Sequence, residues 1–323
     1  MSSDDLQERG QYMAVTVRGR ALRLCVLAGV CCVLVAVGLS FRGELRALLG
    51  PVAEGDPARG RYVQDEGLAD EAARAALEWL TEPSGGREEA RILTEGAPAA
   101  APWRPSDPLE ARTVPAEPAI GALFSPGPDW DSDHHCSASV VGSPGGDLVV
   151  TAAHCVYAGG FRTNLAFVPG YQDGTAPYGV WVPTRVYVDP RWTESSDPDH
   201  DVAFLRVRRP GHPGQRLEDV TGAQTIGFRP ALPAPARLVG YPNDTEQPLA
   251  CSNTAVADGP TQLRLDCADV PNGTSGGPVL TGGHTLIGVI GGRDGGGDEL
   301  TSYSSYFGDD IRALYERAVA ATP

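Results

Sequence analysis

Positive charge is scarce in this chain. Lysine is absent, and 26 arginines face 41 acidic residues, for a formal net charge of −15. The missing lysine reads as coding bias. The acidic balance excludes nucleic acid as a partner, because neutralising phosphates takes a basic surface. Long apolar runs are scarce too. One, Leu24–Phe41 (LCVLAGVCCVLVAVGLSF), continues for 18 residues without a charge, and Arg18, Arg20 and Arg23 precede it. That length is near the lower limit for a membrane-spanning helix and longer than most signal-peptide cores. The run lacks the Leu-small-small-Cys order of a lipoprotein signal, since Ala28, Gly29 and Val30 precede Cys31.

Cysteine is sparse, at seven in 323 residues. Cys25, Cys31 and Cys32 lie inside the apolar run and read as small apolar residues. Cys136, Cys155, Cys251 and Cys267 form an even set suited to two bridges in an oxidising compartment.

These features give four expected regions. Residues 1–23 form a polar N-terminus left in the cytoplasm. Residues 24–41 form a retained transmembrane anchor, with a cleaved signal peptide as the alternative. The arginines ahead of the run favour export of the C-terminal bulk. Residues 42–118 form a pro-segment or a stalk. Within them Leu68–Leu80 predicts a helix with an apolar stripe through Ala72, Ala76, Leu77 and Leu80, and 96–118 reads as a Pro/Ala-rich linker. Residues 119–323 form the folded domain.

Glycine and proline are plentiful, at 40 and 28. From Ile120 onward they punctuate short apolar runs such as SASVV (137–141), LVVTAAHCV (148–156), DVAFLRV (201–207) and TLIGVIGG (285–292). That spacing predicts an antiparallel all-β domain of Greek-key or barrel topology. DDIRALYERAVAA (309–321) predicts a closing amphipathic helix whose apolar face, Ile311, Leu314, Tyr315 and Val319, packs on the β domain.

Three pieces carry chemistry. TAAHC presents His154, DHDVAFL opens a strand at Asp201, and GTSGGP presents Ser275. A serine hydroxyl is a poor nucleophile until a base contacts it. His154 can take that proton and return it to a leaving amine. Asp201 can accept from the other ring nitrogen and fix the tautomer. Asp197, Asp199 and His200 are rivals by proximity. The N–H groups of Gly273 and Ser275 can form an oxyanion hole, one such donor being worth about 3–4 kcal/mol of transition-state stabilisation.

The order His, Asp, Ser and the motifs TAAHC and GTSGGP resemble the chymotrypsin-like (trypsin-like) serine proteases. Within that family the chain looks like the exported bacterial branch that includes V8-like endopeptidases. The resemblance covers Ile120 to the C-terminal helix. It implies two antiparallel six-stranded β-barrels with a C-terminal helix, following the transmembrane helix and the linker. It implies a serine endopeptidase acting on peptide or protein substrates, without metal or cofactor. The alternative is a catalytically silent, membrane-tethered peptide-binding module. Zinc held by His134, His135, Cys136 and Cys155 is a rival reading that export disfavours. The family ties its histidine loop to a neighbouring strand by a bridge, implying Cys136–Cys155 in this chain, which leaves Cys251 to Cys267. Counting back from Ser275 puts Asp269 near the base of the primary pocket, where a carboxylate favours Arg or Lys in substrate. Ile290, Gly291 and Gly292 fall on the strand that pairs with substrate, with the 291–300 loop as a pocket rim. Val289 and Ile290 stand where Glu-specific relatives carry a histidine. Thr274 stands where the animal enzymes carry an aspartate that receives a new N-terminal ammonium. It is expected to make neutral hydrogen bonds instead.

Overall fold

Runs such as LVVT and AFLRV have no polar alternation, so both sides of the strands they form must be covered. The computed structural model, which describes residues 52–80, 103–125 and 134–320, shows how. The first sheet contains β1 (Arg61–Val63), β2 (Ile120–Phe124), β3 (His134–Val141), β4 (Leu148–Thr151), β5 (Ala166–Pro169), β6 (Val182–Val188) and β7 (Ala203–Arg208). Their order across the sheet is β1-β6-β7-β4-β3-β2-β5, all antiparallel. Phe167 and Trp181 exchange two main-chain hydrogen bonds of 2.7 and 2.9 Å, which curl β5 towards the start of β6.

Because successive side chains on a strand face opposite ways, each strand feeds two cores. Val140, Val149, Phe167, Val186 and Leu205 fill one. Val141, Val150, Val168, Val182 and Phe204 fill the other. The second core is closed by two helices. Helix α1 (Glu66–Trp79), capped by Asp65 accepting from the Leu68 N–H at 3.0 Å, contributes Ala69, Ala73 and Ala76, followed by Leu80. The C-terminal helix, Asp309–Ala320, contributes Ile311, Leu314 and Ala318, with Tyr315 and Val319 packed at the margin. Leu77, expected in the apolar stripe of α1, is 40% exposed; the buried face runs through Ala69, Ala73 and Ala76.

The second sheet contains β8 (Ala234–Gly240), β9 (Leu249–Asp258), β10 (Gln262–Asp266), β11 (Pro278–Thr281), β12 (Thr285–Val289) and β13 (Thr301–Ser305). Its order is β12-β11-β8-β9-β10-β13, with Thr225–Ile226 beside β12 and Arg112–Thr113 beside β9. Ala236, Leu238, Leu263, Val279 and Ile287 form its core. The fold is thus mostly β with a C-terminal helix. Against the expectation of two six-stranded barrels, the strands pair into a seven-stranded and an eight-stranded sheet. The difference arises from added strands, two of them from residues ahead of Ile120.

Those upstream residues are built into the domain, and Pro51–Pro323 is one compact unit. Tyr62 stacks on Phe161 at 5.6 Å, and the buried Gln64 donates to the Thr163 carbonyl at 2.6 Å. Residues 103–117, expected as a linker, are extended but bound. The N–H groups of Ser106, Ala111 and Val114 donate to the carbonyls of Ser252, Ala268 and Pro248 at 2.8–2.9 Å. The apolar run 24–41 lies outside the described residues; among the described residues no helix is long and apolar enough to cross a membrane.

Candidate active site

Thr151 ends β4, and the chain turns at once into the single-turn helix α2 (Ala153–Val156). This places His154 on a short element anchored by Cys155, which is bridged to Cys136 of β3. Asp201 follows a 3₁₀ turn, Pro198–His200, and leads into β7. The two residues meet: His154 Nδ1 lies 2.7 Å from Asp201 Oδ2, and the His154 main-chain N–H donates to Oδ1 at 2.9 Å. A carboxylate only accepts, so Nδ1 carries the proton and Nε2 is left as an acceptor. Asp201 is 1% exposed, and a third donor, the Gly292 N–H, reaches Oδ2 at 2.9 Å. Burying a carboxylate is costly unless hydrogen bonds replace water, and these three replace it.

The rival carboxylates are committed elsewhere. Asp197 accepts from the Asp199 N–H and from His200 Nδ1 at 3.1 and 3.0 Å. Asp199 accepts from Gln262 at 2.7 Å. The rival histidines are also accounted for. His134 is packed among Phe124, Tyr171 and Tyr241, with Nε2 on the Thr245 carbonyl at 3.0 Å. His135 Nε2 meets the Cys155 carbonyl at 2.9 Å. Burial, helped by the Arg162 charge, lowers its pKa to about 4. Among the described residues the only group of three potential metal ligands is Cys136, His154 and Cys155, within 4.8 Å of one another. Both sulfurs are spent in the disulfide, so no thiolate remains and the group does not fit a resident metal.

Ser275 sits in a turn held almost wholly by main chain. Its carbonyl accepts from the Ser137 N–H at 2.7 Å and lies 3.7 Å from Cys155 Sγ, which brings the serine beside the residue following His154. Ser137 clamps the same turn with its hydroxyl, which donates to the Gly273 carbonyl at 3.0 Å and accepts from the Tyr241 N–H at 2.7 Å. Nothing in the sequence singles Ser137 out beyond its place after Cys136. Gly276 has φ +79, and a Cβ there would lie 2.0 Å from Thr151 Oγ1 and 2.3 Å from the Ser137 carbonyl. Only glycine lets the serine turn approach the histidine strand this closely. Thr274 is buried, and its hydroxyl donates to the Pro271 carbonyl at 2.7 Å, a neutral bond. Among the described residues, the N–H groups of Gly273 and Ser275 donate to no protein acceptor.

Beside Ser275 opens a cleft of about 590 Å³. Asp269, Val270, Ile290, Asp298 and Glu299 line it, with Gly295–Gly297 of the 291–300 loop on its rim. Of the residues expected in the pocket, Asp269 and Ile290 are there. Gly291 and Gly292 lie behind it: a Cβ on Gly291 would lie 2.9 Å from Asp201 Oδ2, and Gly292 binds that carboxylate. The second bridge, Cys251–Cys267, ties β9 to the segment leading to this cleft.

Known proteins resemble this chain in family and fold. The family described as "Trypsin-like peptidase domain" matches residues 136–289. The chain is similar to the extracellular metalloprotease of Bacillus subtilis (strain 168), at 29% identity over 119 residues, which span only 36% of either chain. Among solved structures, protease Anisep from Arthrobacter nicotinovorans superposes with TM-score 0.58 and 28% identity, covering 65% of this chain and all of that one. The thermostable serine protease AL20, from an extremophilic microorganism, gives TM-score 0.56 and 27% identity over 64% of this chain and 99% of that one. A Glu endopeptidase shares the fold, with TM-score 0.53 and 17% identity over 66% of this chain and 97% of that one. The chain therefore carries a trypsin-like peptidase domain with the fold of the chymotrypsin-like serine proteases.

Proposed function

We propose that the chain is a serine endopeptidase working through an acyl-enzyme, with Ser275 as nucleophile, His154 as base and then acid, and Asp201 as the group that orients the imidazole. The observation that carries this reading is the doubly bonded His154–Asp201 pair, which leaves Nε2 as acceptor, with the Ser275 carbonyl 3.7 Å from Sγ of Cys155, the residue after the histidine. In the first half-reaction Ser275 Oγ attacks the scissile carbonyl carbon as its proton passes to His154 Nε2. The carbonyl oxygen becomes an oxyanion that the Gly273 and Ser275 N–H groups receive. Collapse breaks the C–N bond, and the same proton goes to the leaving amine. Water repeats the sequence and releases the acid.

Exposed carboxylates at Asp269, Asp298 and Glu299 give the cleft a negative lining. We assign it a substrate side chain of positive charge, Arg or Lys, with Asp269 as the principal partner. Asp269→Asn is expected to lower kcat/KM for Arg and Lys peptides about tenfold or more while changing neutral peptides little. The two bridges suit an exported domain, held by residues 24–41 or secreted after their cleavage. Residues 42–118 act as a pro-segment or stalk, and its described parts, 52–80 and 103–118, pair with the two sheets through Arg61–Val63 and Arg112–Thr113.

The deciding experiment is fluorophosphonate labelling of the full chain beside Ser275→Ala and His154→Ala. Labelling lost in both variants supports the reading. A folded chain that never labels would sink it and favour a silent peptide-binding module.

A further inference from the structure

Asn272–Gly273 is the one Asn-Gly pair in the sequence; the other asparagines, Asn164, Asn243 and Asn253, precede Leu, Asp and Thr. The serine turn requires Gly273. Its φ is +94, and a Cβ there would lie 2.2 Å from the Asn243 main-chain nitrogen. The same missing Cβ leaves the Gly273 nitrogen sterically open to the preceding side chain. Asn272 is exposed and lines the cleft. Its carbonyl accepts from the Asn243 N–H at 3.0 Å, which holds the main chain. Among the described residues its carboxamide has no hydrogen-bond partner, and neither has the Gly273 N–H.

We propose that Asn272 is a deamidation site whose conversion disables the oxyanion hole, so that the turn that activates Ser275 also limits its working life. The Gly273 nitrogen attacks Asn272 Cγ, and a new C–N bond forms. The bond from Cγ to the side-chain nitrogen breaks, and ammonia leaves carrying the proton lost from the Gly273 amide. Water opens the resulting succinimide at either carbonyl, giving aspartate or isoaspartate at 272. No oxidant or reductant takes part. In the succinimide the Gly273 nitrogen has no proton, so one of the two donors is gone. In isoaspartate the main chain is longer by a methylene, and the donor is displaced. Both acids add a carboxylate beside the position where negative charge develops. The loss of activity rests on the serine endopeptidase reading; the modification itself does not.

The test incubates the full-length chain and its Ser275→Ala variant, which cannot digest itself, in mildly alkaline buffer. Peptide mapping follows the amide-to-acid mass gain at each asparagine, and isoaspartyl methyltransferase labelling reports the rearranged product. Fluorophosphonate labelling rate is followed in parallel on the unmutated chain and on Asn272→Gln. Asn272 should convert well ahead of Asn164, Asn243 and Asn253. The converted chain should label about 100-fold more slowly or worse, as for loss of one oxyanion donor. Asn272→Gln, whatever its starting rate, should hold that rate through the incubation. An Asn272 that persists as amide in the Ser275→Ala chain overturns the proposal, and so does full conversion with an unchanged labelling rate. A fresh chain that never labels removes the endopeptidase reading and the activity half together, and the mapping still decides the modification.

Discussion

The two sheets hold their shares of the site by different means. On the first, His154 and Asp201 are fixed through side-chain atoms, with the carboxylate taking three N–H donors. On the second, Ser275 is fixed mostly through main chain, by its own carbonyl, by Ser137 and by Gly276 pressed against the end of β4. The two differ in what they tolerate. A group held by side chains is disabled by changing one polar atom, with the backbone left in place. A group held by main chain is disabled by adding atoms, because every neighbour is already at contact distance.

The sharpest way to probe the first half is Asp201→Asn. The ring loses the acceptor that fixes its tautomer, and kcat should fall about 10⁴-fold. One of the two main-chain donors now faces an NH₂, so about 1–3 kcal/mol of stability should go with it, read by denaturant unfolding. If kcat survives, Asp201 does not orient His154.

The second half is probed by Gly276→Ala. A methyl 2.0 Å from Thr151 Oγ1, on a residue with φ +79, should cost about 3 kcal/mol or more and abolish labelling of Ser275. An active, stable variant would mean that main-chain contact does not set the turn. Thr274→Val is milder. It removes the bond to the Pro271 carbonyl, so about 1 kcal/mol and a severalfold loss of activity are expected. No change in either would mean that the Thr274 hydroxyl does not brace the serine turn.

The effect with the least bearing on activity returns to the first sheet. His135 is held neutral when folded, with a pKa near 4 against an ordinary 6.5. Between those values the unfolded chain binds the extra proton, so stability should fall as pH drops from about 6.5 towards 4. His135→Phe should flatten that part of the urea-stability profile against pH. An unaltered slope would assign the acid sensitivity to other groups.

Much of the site is legible in the sequence because it is local. TAAHC and GTSGGP each put a candidate side chain inside a recognisable run, and the strand after Asp201 distinguishes it from Asp197 and Asp199. The bridges Cys136–Cys155 and Cys251–Cys267 follow the pairing that the resemblance implies. The parts that escape are carried by main chain or by distant pairing. Gly292 serves Asp201 through an N–H, a group every residue but proline has. Ser137 acts across two sheets. The three residues of β1 have no strand signature, and they pair with β6 only because its edge stands open about 120 residues later. Leu77 departs from the expected stripe because a helix of small residues buries the face that fits closest, and alanines fit closer than leucine.

The upstream strands have a practical consequence. Arg61–Val63 covers the outer edge of β6 and Arg112–Thr113 covers the start of β9. A fragment cut at 119 would present two bare rows of N–H and C=O groups, the kind of edge that recruits another chain and drives aggregation. It would also uncover the apolar face that Ala69, Ala73 and Ala76 shield. A soluble expression boundary therefore belongs ahead of Val52, and insolubility of the shorter fragment would report on its edges rather than on its active site.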